Sequence, residues 1–205
     1  MTDILKIADI KCNYRKNLLL SEFLFKVCYI CVKFCYMRYV IEEIEDLSGE
    51  ACHIYSLREA GSENSLFDDF VVRNSELYED EVVDIYNRLK YMGNEGGARE
   101  NYFKLNEGKP GDGIVALYDR PDSRLRLYCI RYGAITLIVG DGGAKPKSVR
   151  AWQEVPELDR IVKHLMLISD KISEAIKEKD IRLTLDGKLI GELTIDDDED
   201  YEQEY

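Results

Sequence analysis

The chain has 205 residues, 45% apolar and 33% charged, with 28 Lys/Arg against 40 Asp/Glu and a net charge of −12. These values describe a folded chain of one domain, or one domain with appendages, and exclude a fibrous, collagen-like or wholly disordered polymer. About 70% of the unfolded surface can be buried at this length; six cysteines are too few for a disulfide scaffold, and the acidic balance confines any nucleic-acid contact to a local patch.

Residues 1–36 stand apart. They carry six basic residues (Lys6, Lys11, Arg15, Lys16, Lys26, Lys33) against three acids (Asp3, Asp9, Glu22), a net +3 that leaves −15 for the remainder, and four of the six cysteines (Cys12, Cys28, Cys31, Cys35). Glu22, Lys26 and Lys33 interrupt the apolar run, so it lacks the roughly 20 apolar residues of a membrane span and the small-residue cleavage site of a signal peptide. A zinc site built on Cys28, Cys31 and Cys35 needs a fourth ligand, for which His53 is the nearby candidate. The neighbours Phe25, Tyr29, Phe34 and Tyr36 are apolar, and no metal site is expected. The composition changes abruptly at Met37, which marks the expected start of the fold. Residues 1–36 are then an extension outside it, the alternative being an ordinary amphipathic helix.

From Met37 onward, short strands and helices alternate. Residues 38–44 and 54–57 are rich in β-formers. Ser65 and Asp68 have the spacing of a capping box, which predicts a short helix over 66–73. Tyr78, Val82, Ile85, Leu89 and Met92 then recur at helical spacing, and Gly93 closes that second helix. Residues 102–105, 113–118, 124–132 and 135–139 are four strand candidates separated by turns. Gly133-Ala134 suits a two-residue turn with a positive φ at its first position. Ile161, Leu165, Ile168, Ile172 and Ile176 mark a further helix, and an extra C-terminal hairpin turns at Asp186-Gly187, with Leu189, Leu193 and Ile195 on its return. Seven acids in residues 196–205 predict a solvated, disordered tail. The expected architecture is α+β, a small antiparallel meander packed against helices with no parallel pairing required, over residues 37–195.

Several chemistries fail on spacing. Residues 140–145 read Gly-Asp-Gly-Gly-Ala-Lys, but neither Lys145 nor Lys147 follows a glycine and Pro146 stands where a phosphate-loop helix would begin. His53 and His164 are too few for a histidine metal centre. Nothing local activates Cys52 or Cys129, and Cys129 alternates with Leu125 and Leu127 on an expected core face.

One charge pattern runs against the whole. Residues 99–150 hold ten Lys/Arg and six acids, a net +4. Alternation puts Arg124, Arg126, Tyr128 and Tyr132 on the face opposite Leu125, Leu127 and Cys129. Cations interleaved with aromatics on an open sheet face form a phosphate-and-base platform; a solvated face whose arginines pair with Asp119, Asp122 or Asp141 is the alternative. Arg131 falls on the apolar side, as a frayed strand end, the sequel of a bulge, or the partner of a buried carboxylate would explain.

The runs Tyr102-Phe103-Lys104-Leu105, Gly113-Ile114-Val115-Ala116-Leu117, Leu125-Arg126-Leu127-Tyr128-Cys129-Ile130-Arg131-Tyr132-Gly133 and Ile138-Val139-Gly140-Asp141-Gly142-Gly143-Ala144-Lys145 resemble the RelE/HigB/ParE-type toxin superfamily, in its phage-derived HigB-like branch, over residues 37–180. The resemblance implies a RelE-like fold, a small antiparallel sheet flanked by helices. It also implies a cytoplasmic toxin of a type II toxin-antitoxin system that inhibits translation as a metal-free, ribosome-dependent messenger-RNA endonuclease, silenced by a cognate helix-turn-helix antitoxin. Carried onto this sequence, Arg126, Lys145 and Lys104 are the catalytic candidates, and Arg124, Tyr128, Arg131, Tyr132 and Lys147 the RNA-binding ones. No cofactor, metal or membrane is implied. The other reading is a non-catalytic relative that uses the same sheet to hold a protein: an antitoxin, gyrase or a phage component.

Overall fold

A computed structural model describes residues 37–197 except 106, 119, 121 and 150. The expectations for residues 1–36, for Asp119 and Arg150, and for most of the acidic tail lie outside the described residues. Among the described residues nine strands and two long helices make an α+β fold: β1 (Met37–Glu43), β2 (His53–Glu59), α1 (Leu66–Tyr91), β3 (Phe103–Lys104), β4 (Ile114–Leu117), β5 (Leu125–Tyr132), β6 (Thr136–Ala144), α2 (Pro156–Glu178), β7 (Ile181–Leu183), β8 (Leu189–Gly191) and β9 (Thr194–Asp197).

Seven strands form one sheet in the order β3-β4-β5-β6-β2-β1-β9, and β7 and β8 form a separate hairpin. The sheet is larger than the expected meander, and it is mixed, because β6 runs parallel to β2 with Tyr55 opposite Ile138. The reason is connectivity. After β2 the chain leaves through α1 and re-enters four positions away, so the meander β3-β4-β5-β6 ends beside β2 pointing the same way. The expected C-terminal hairpin is also redistributed. Ile181 pairs with Gly191, but Ile195 belongs to β9, which joins the main sheet antiparallel to β1 with Tyr39 opposite Ile195. Asp196 and Asp197, read as the start of the tail, are in that strand, and Asp196 Oδ1 accepts from Arg38 Nε at 2.7 Å.

Helix α1 begins at the capping box read from the sequence: the Ser65 hydroxyl accepts from the Asp68 N–H at 3.2 Å while Asp68 Oδ2 accepts from the Ser65 N–H at 2.9 Å. The two expected helices meet at a kink: Tyr78 alone leaves helical dihedrals (φ −136°, ψ 37°), and the first helix runs on past residue 73 to reach it, so the two segments follow one another without an intervening loop. Buried Ser56 ties its first turn to the sheet, donating to Val139 O at 2.9 Å and accepting from Phe67 N at 3.2 Å. Past Tyr91 a single π-helical turn, Met92–Gly96, leads into the loop before β3.

Each face of the sheet is covered by one helix. Under α1 lie Ile54, Phe103, Leu117, Leu127, Cys129 and Val139, packed on Phe67, Phe70, Ile85 and Leu89. Under α2 lie Tyr39, Ile41, Tyr55, Ala116, Tyr128, Ile130 and Ile138, packed on Leu158, Ile161, Leu165, Ile168 and Ile172. Ile114–Leu117, which reads apolar on both parities, is a strand buried on both faces. Among the described residues no helix is long and apolar enough to cross a membrane.

Candidate nucleic-acid interface

The parity expected for β5 holds: Tyr128, Ile130 and Tyr132 share one core and Leu125, Leu127 and Cys129 the other. What differs is exposure, because α2 lies on the face read as open. Tyr128 is 1% exposed and is a core residue, so it presents no ring for a base to stack on. Tyr132 is half-buried against the same core; burial raises its phenol pKa, with the nearby Ser173 and Ser169 opposing the shift. The aromatic half of the proposed platform is thus absorbed into packing. Tyrosine allows this because its ring buries as readily as an apolar side chain once the hydroxyl has a partner.

The cations divide between the two ends of β5. At its start, Leu125 pairs with Ala144 and Arg126 with Gly143. The N–H of Lys145 donates to Arg124 O at 2.8 Å, so Arg124, Arg126 and Lys145 are brought to one end of the sheet. Arg124 is exposed and Arg126 half-buried, with Nη1 of Arg126 donating to Leu125 O at 2.8 Å. Lys145 Nζ donates to Val149 O, and exposed Lys147 pairs with Asp122 at 2.8 Å. That pair lowers the pKa of the Asp122 carboxyl through its hydrogen bond to Lys147.

Lys104 is half-buried on β3, with Ala116 of β4 opposite it and Tyr128 of β5 beyond. It therefore belongs to the α2 side of the sheet, two strands from β5. Arg131 and Tyr132 occupy the far end of β5, at roughly 3.3 Å per residue about 17 Å from Arg126. Arg131 indeed lies on the apolar side, at the strand's end. Its Nε donates to Ala98 O at 2.7 Å and its Nη1 stands 3.5 Å from Glu100, whose side chain is largely exposed, so no buried carboxylate holds it. A platform containing all eight candidates is not assembled; Arg124, Arg126 and Lys145 are, with Lys147 beside them.

The turn between β5 and β6 keeps Gly133 at φ +67° as expected, but Tyr132 pairs with Thr136 and the loop has three residues rather than two. The glycine-rich run is not a strand exit. Residues 140–144 continue β6 through a bulge opposite the step from Leu127 to Cys129. A side chain at Gly142 would collide with the carbonyl of Arg126, so the bulge needs a glycine there.

Two acidic residues organise this end: Asp141, expected to pair with an arginine of the meander but paired with Arg73 of α1 instead, and Glu81, which the sequence reading did not single out. Asp141 accepts from Gly142 N at 2.6 Å and pairs with Arg73 of α1, whose Nη2 also donates to Gly142 O at 3.2 Å. Burial raises the Asp141 pKa, and the Gly142 bond and the Arg73 charge do not fully offset it. Glu81 of α1 receives the backbone at the start of β5. Neither partnership has a local sequence signal, since each joins residues more than forty positions apart.

Elsewhere, His53 Nδ1 lies 2.7 Å from Glu43 Oε1, and His164 packs on Tyr39 with ring centroids 5.3 Å apart. Among the described residues no cluster of His, Cys, Asp or Glu has the arrangement of a metal site. No protein-family model, curated protein or solved structure matches the chain.

Proposed function

We propose that this chain is a RelE/HigB-type toxin of a type II toxin-antitoxin system, acting in the cytoplasm as a metal-free messenger-RNA endonuclease. The observation that carries the reading is the convergence of Arg124, Arg126 and Lys145 at one end of the β5–β6 pair. The order of elements supports a RelE-like core: a strand, a helix, an antiparallel four-stranded meander and a second helix, with β1, β9 and the β7–β8 hairpin added. Cleavage requires a 2′-hydroxyl to lose a proton and attack the adjacent phosphorus, while the leaving oxygen gains one. Arg126 would hold the phosphoryl oxygens with its planar fork, and Lys145 would add positive charge against the negative charge that builds up on them. Arg124 and Lys147 would hold neighbouring phosphates. Lys104 is left as a contact from the adjoining strands.

A second reading is favoured by the burial of Tyr128 and by the internal partners of Lys145 and Lys147. In it the same cationic end holds an acidic protein partner, an antitoxin or a gyrase or phage surface, and cleaves nothing. Induction in a permissive host, with mapping of RNA 5′ ends and of plasmid topology, separates the two. The endonuclease reading expects new RNA ends within translated regions and growth arrest that Arg126→Ala abolishes, with a rate loss on the order of 100-fold. Arg126→Lys should restore only part of it, since an ammonium makes no bidentate contact. Lys163→Ala, exposed on α2 and paired with Asp159, should change nothing. Arrest with altered plasmid topology and intact RNA would overturn the endonuclease reading.

A further inference from the structure

Glu81 lies on α1 just beyond the kink at Tyr78. A single carboxylate oxygen, Oε2, accepts three hydrogen bonds, from Ser123 Oγ at 2.6 Å and from the backbone N–H groups of Arg124 and Leu125 at 2.8 Å each. The Leu125 carbonyl in turn accepts from Nη1 of Arg126 at 2.8 Å. Burial opposes ionisation of Glu81, yet the bonds from Ser123, Leu125 and Arg124, with the nearby Arg126 charge, keep its pKa below the ordinary carboxylate value. Hydrogen bonds to an ionised acceptor are about twice as strong as neutral ones. Three of them on one oxygen hold the loop far more firmly than an exposed pair such as Lys147 with Asp122, whose partners are largely in solvent.

We propose that Glu81 is a positioning residue for Arg126: it clamps the backbone of residues 123–125 to α1 and thereby sets the direction in which the Arg126 guanidinium is presented at the end of β5. Arg124 and Leu125 have no choice of orientation while their N–H groups point at Glu81. The Leu125 carbonyl, on the same short stretch of backbone, then provides a fixed point for the guanidinium. The inference deepens the endonuclease reading and rests on it only where cleavage is the readout. A misplaced phosphate-holding group costs about 100-fold in rate even when every reacting residue is present.

The test compares the full chain with Glu81→Ala, Glu81→Gln, Arg126→Ala and the Glu81→Ala/Arg126→Ala pair, using amide hydrogen exchange, the side-chain N–H signals of Arg126, and single-turnover cleavage of messenger RNA on the ribosome. In Glu81→Ala, protection at Arg124 and Leu125 should fall by about tenfold or more while β1 and β2 keep theirs, and the Arg126 guanidinium signals should move or broaden. Glu81→Gln, which keeps one acceptor oxygen, should recover part of both. Cleavage should slow in Glu81→Ala but not slow further when that change is added to Arg126→Ala, because the two act through one group. Should Glu81→Ala fail to fold, Glu81→Gln and Ser123→Ala carry the same comparison. Unchanged protection and unchanged Arg126 signals, or full additivity with Arg126→Ala, would overturn the proposal. If the unaltered chain cleaves no RNA, the endonuclease reading fails alone, and the exchange and guanidinium signals still decide the role of Glu81.

Discussion

The backbone N–H of Leu189 donates to the hydroxyl of Tyr55 at 2.9 Å, joining the β7–β8 hairpin to the middle of β2. Tyr55 is 1% exposed, and burial pushes its phenol up to about 12, so the hydroxyl stays protonated and accepts through a lone pair at any ordinary pH. Tyr55→Phe keeps the ring in place and leaves the Leu189 N–H without its partner. Loss of a buried partner costs about 1–3 kcal/mol, and urea unfolding should show a lower midpoint at unchanged slope. An unaltered midpoint would mean that the hairpin is not held through this bond.

Tyr128 separates packing from recognition. Lying in the core under α2, it should behave as a large buried aromatic: Tyr128→Ala should lose about 3–5 kcal/mol of stability, while Tyr128→Phe should leave growth arrest intact. A Tyr128→Phe or Tyr128→Leu chain that folds normally but has lost activity would restore a direct role for the ring.

Acid should weaken the join between β1 and β2 through Glu42. Its carboxylate accepts from Arg58 Nε at 2.9 Å on both oxygens, and Arg58 Nη2 donates to Oε1 at 2.5 Å. The hydrogen bond to Arg58 holds the Glu42 pKa below its ordinary 4.5, against the opposing effect of burial. A depressed folded-state pKa adds stability that is fully present above the unfolded value and is lost as the pH falls through the folded one. Both side chains are partly solvated, so the contribution is about 0.2–1 kcal/mol. The stability difference between the unaltered chain and Glu42→Gln should therefore be present at about pH 7 and shrink towards about pH 3. A difference independent of pH would assign the effect to packing.

The two described thiols should be inert. Burial pushes Cys52 up to about 11 and Cys129 up to about 12, which suppresses the reactive thiolate. Alkylation with iodoacetamide at about pH 8, followed by peptide mapping, should mark both at least about 100-fold more slowly in the folded chain than in urea. Fast modification of Cys52 in the folded chain would show that the segment around it opens locally.

Local chemistry was legible where its causes are local. The Ser65/Asp68 cap, the helical spacing of Ile161 through Ile172, the core position of Cys129 and the positive φ of Gly133 each depend on residues a few positions apart. The break between two helical segments was legible in the apolar spacing, but not that the segments abut at a kink at Tyr78, since such a break marks either a helix end or a bend. The glycines of residues 140–143 read as an exit because their role as strand residues depends on a partner strand, β5, and on a bulge that the pairing creates.

Which residues of β5 share a face follows from alternation alone, because an extended chain leaves no other arrangement. Tertiary structure alone decided what those faces meet. Burial of Tyr128 required α2 to cross the sheet. The parallel pairing of β2 with β6 required α1 to carry the chain past the growing meander, and the place of Ile195 beside Tyr39 required β1 to offer an open edge to a strand more than 150 residues later. The clamp of Glu81 on Arg124 and Leu125 is of the same kind: a carboxylate on one element and backbone N–H groups on another carry no mutual signal until packing removes the water that would otherwise satisfy both.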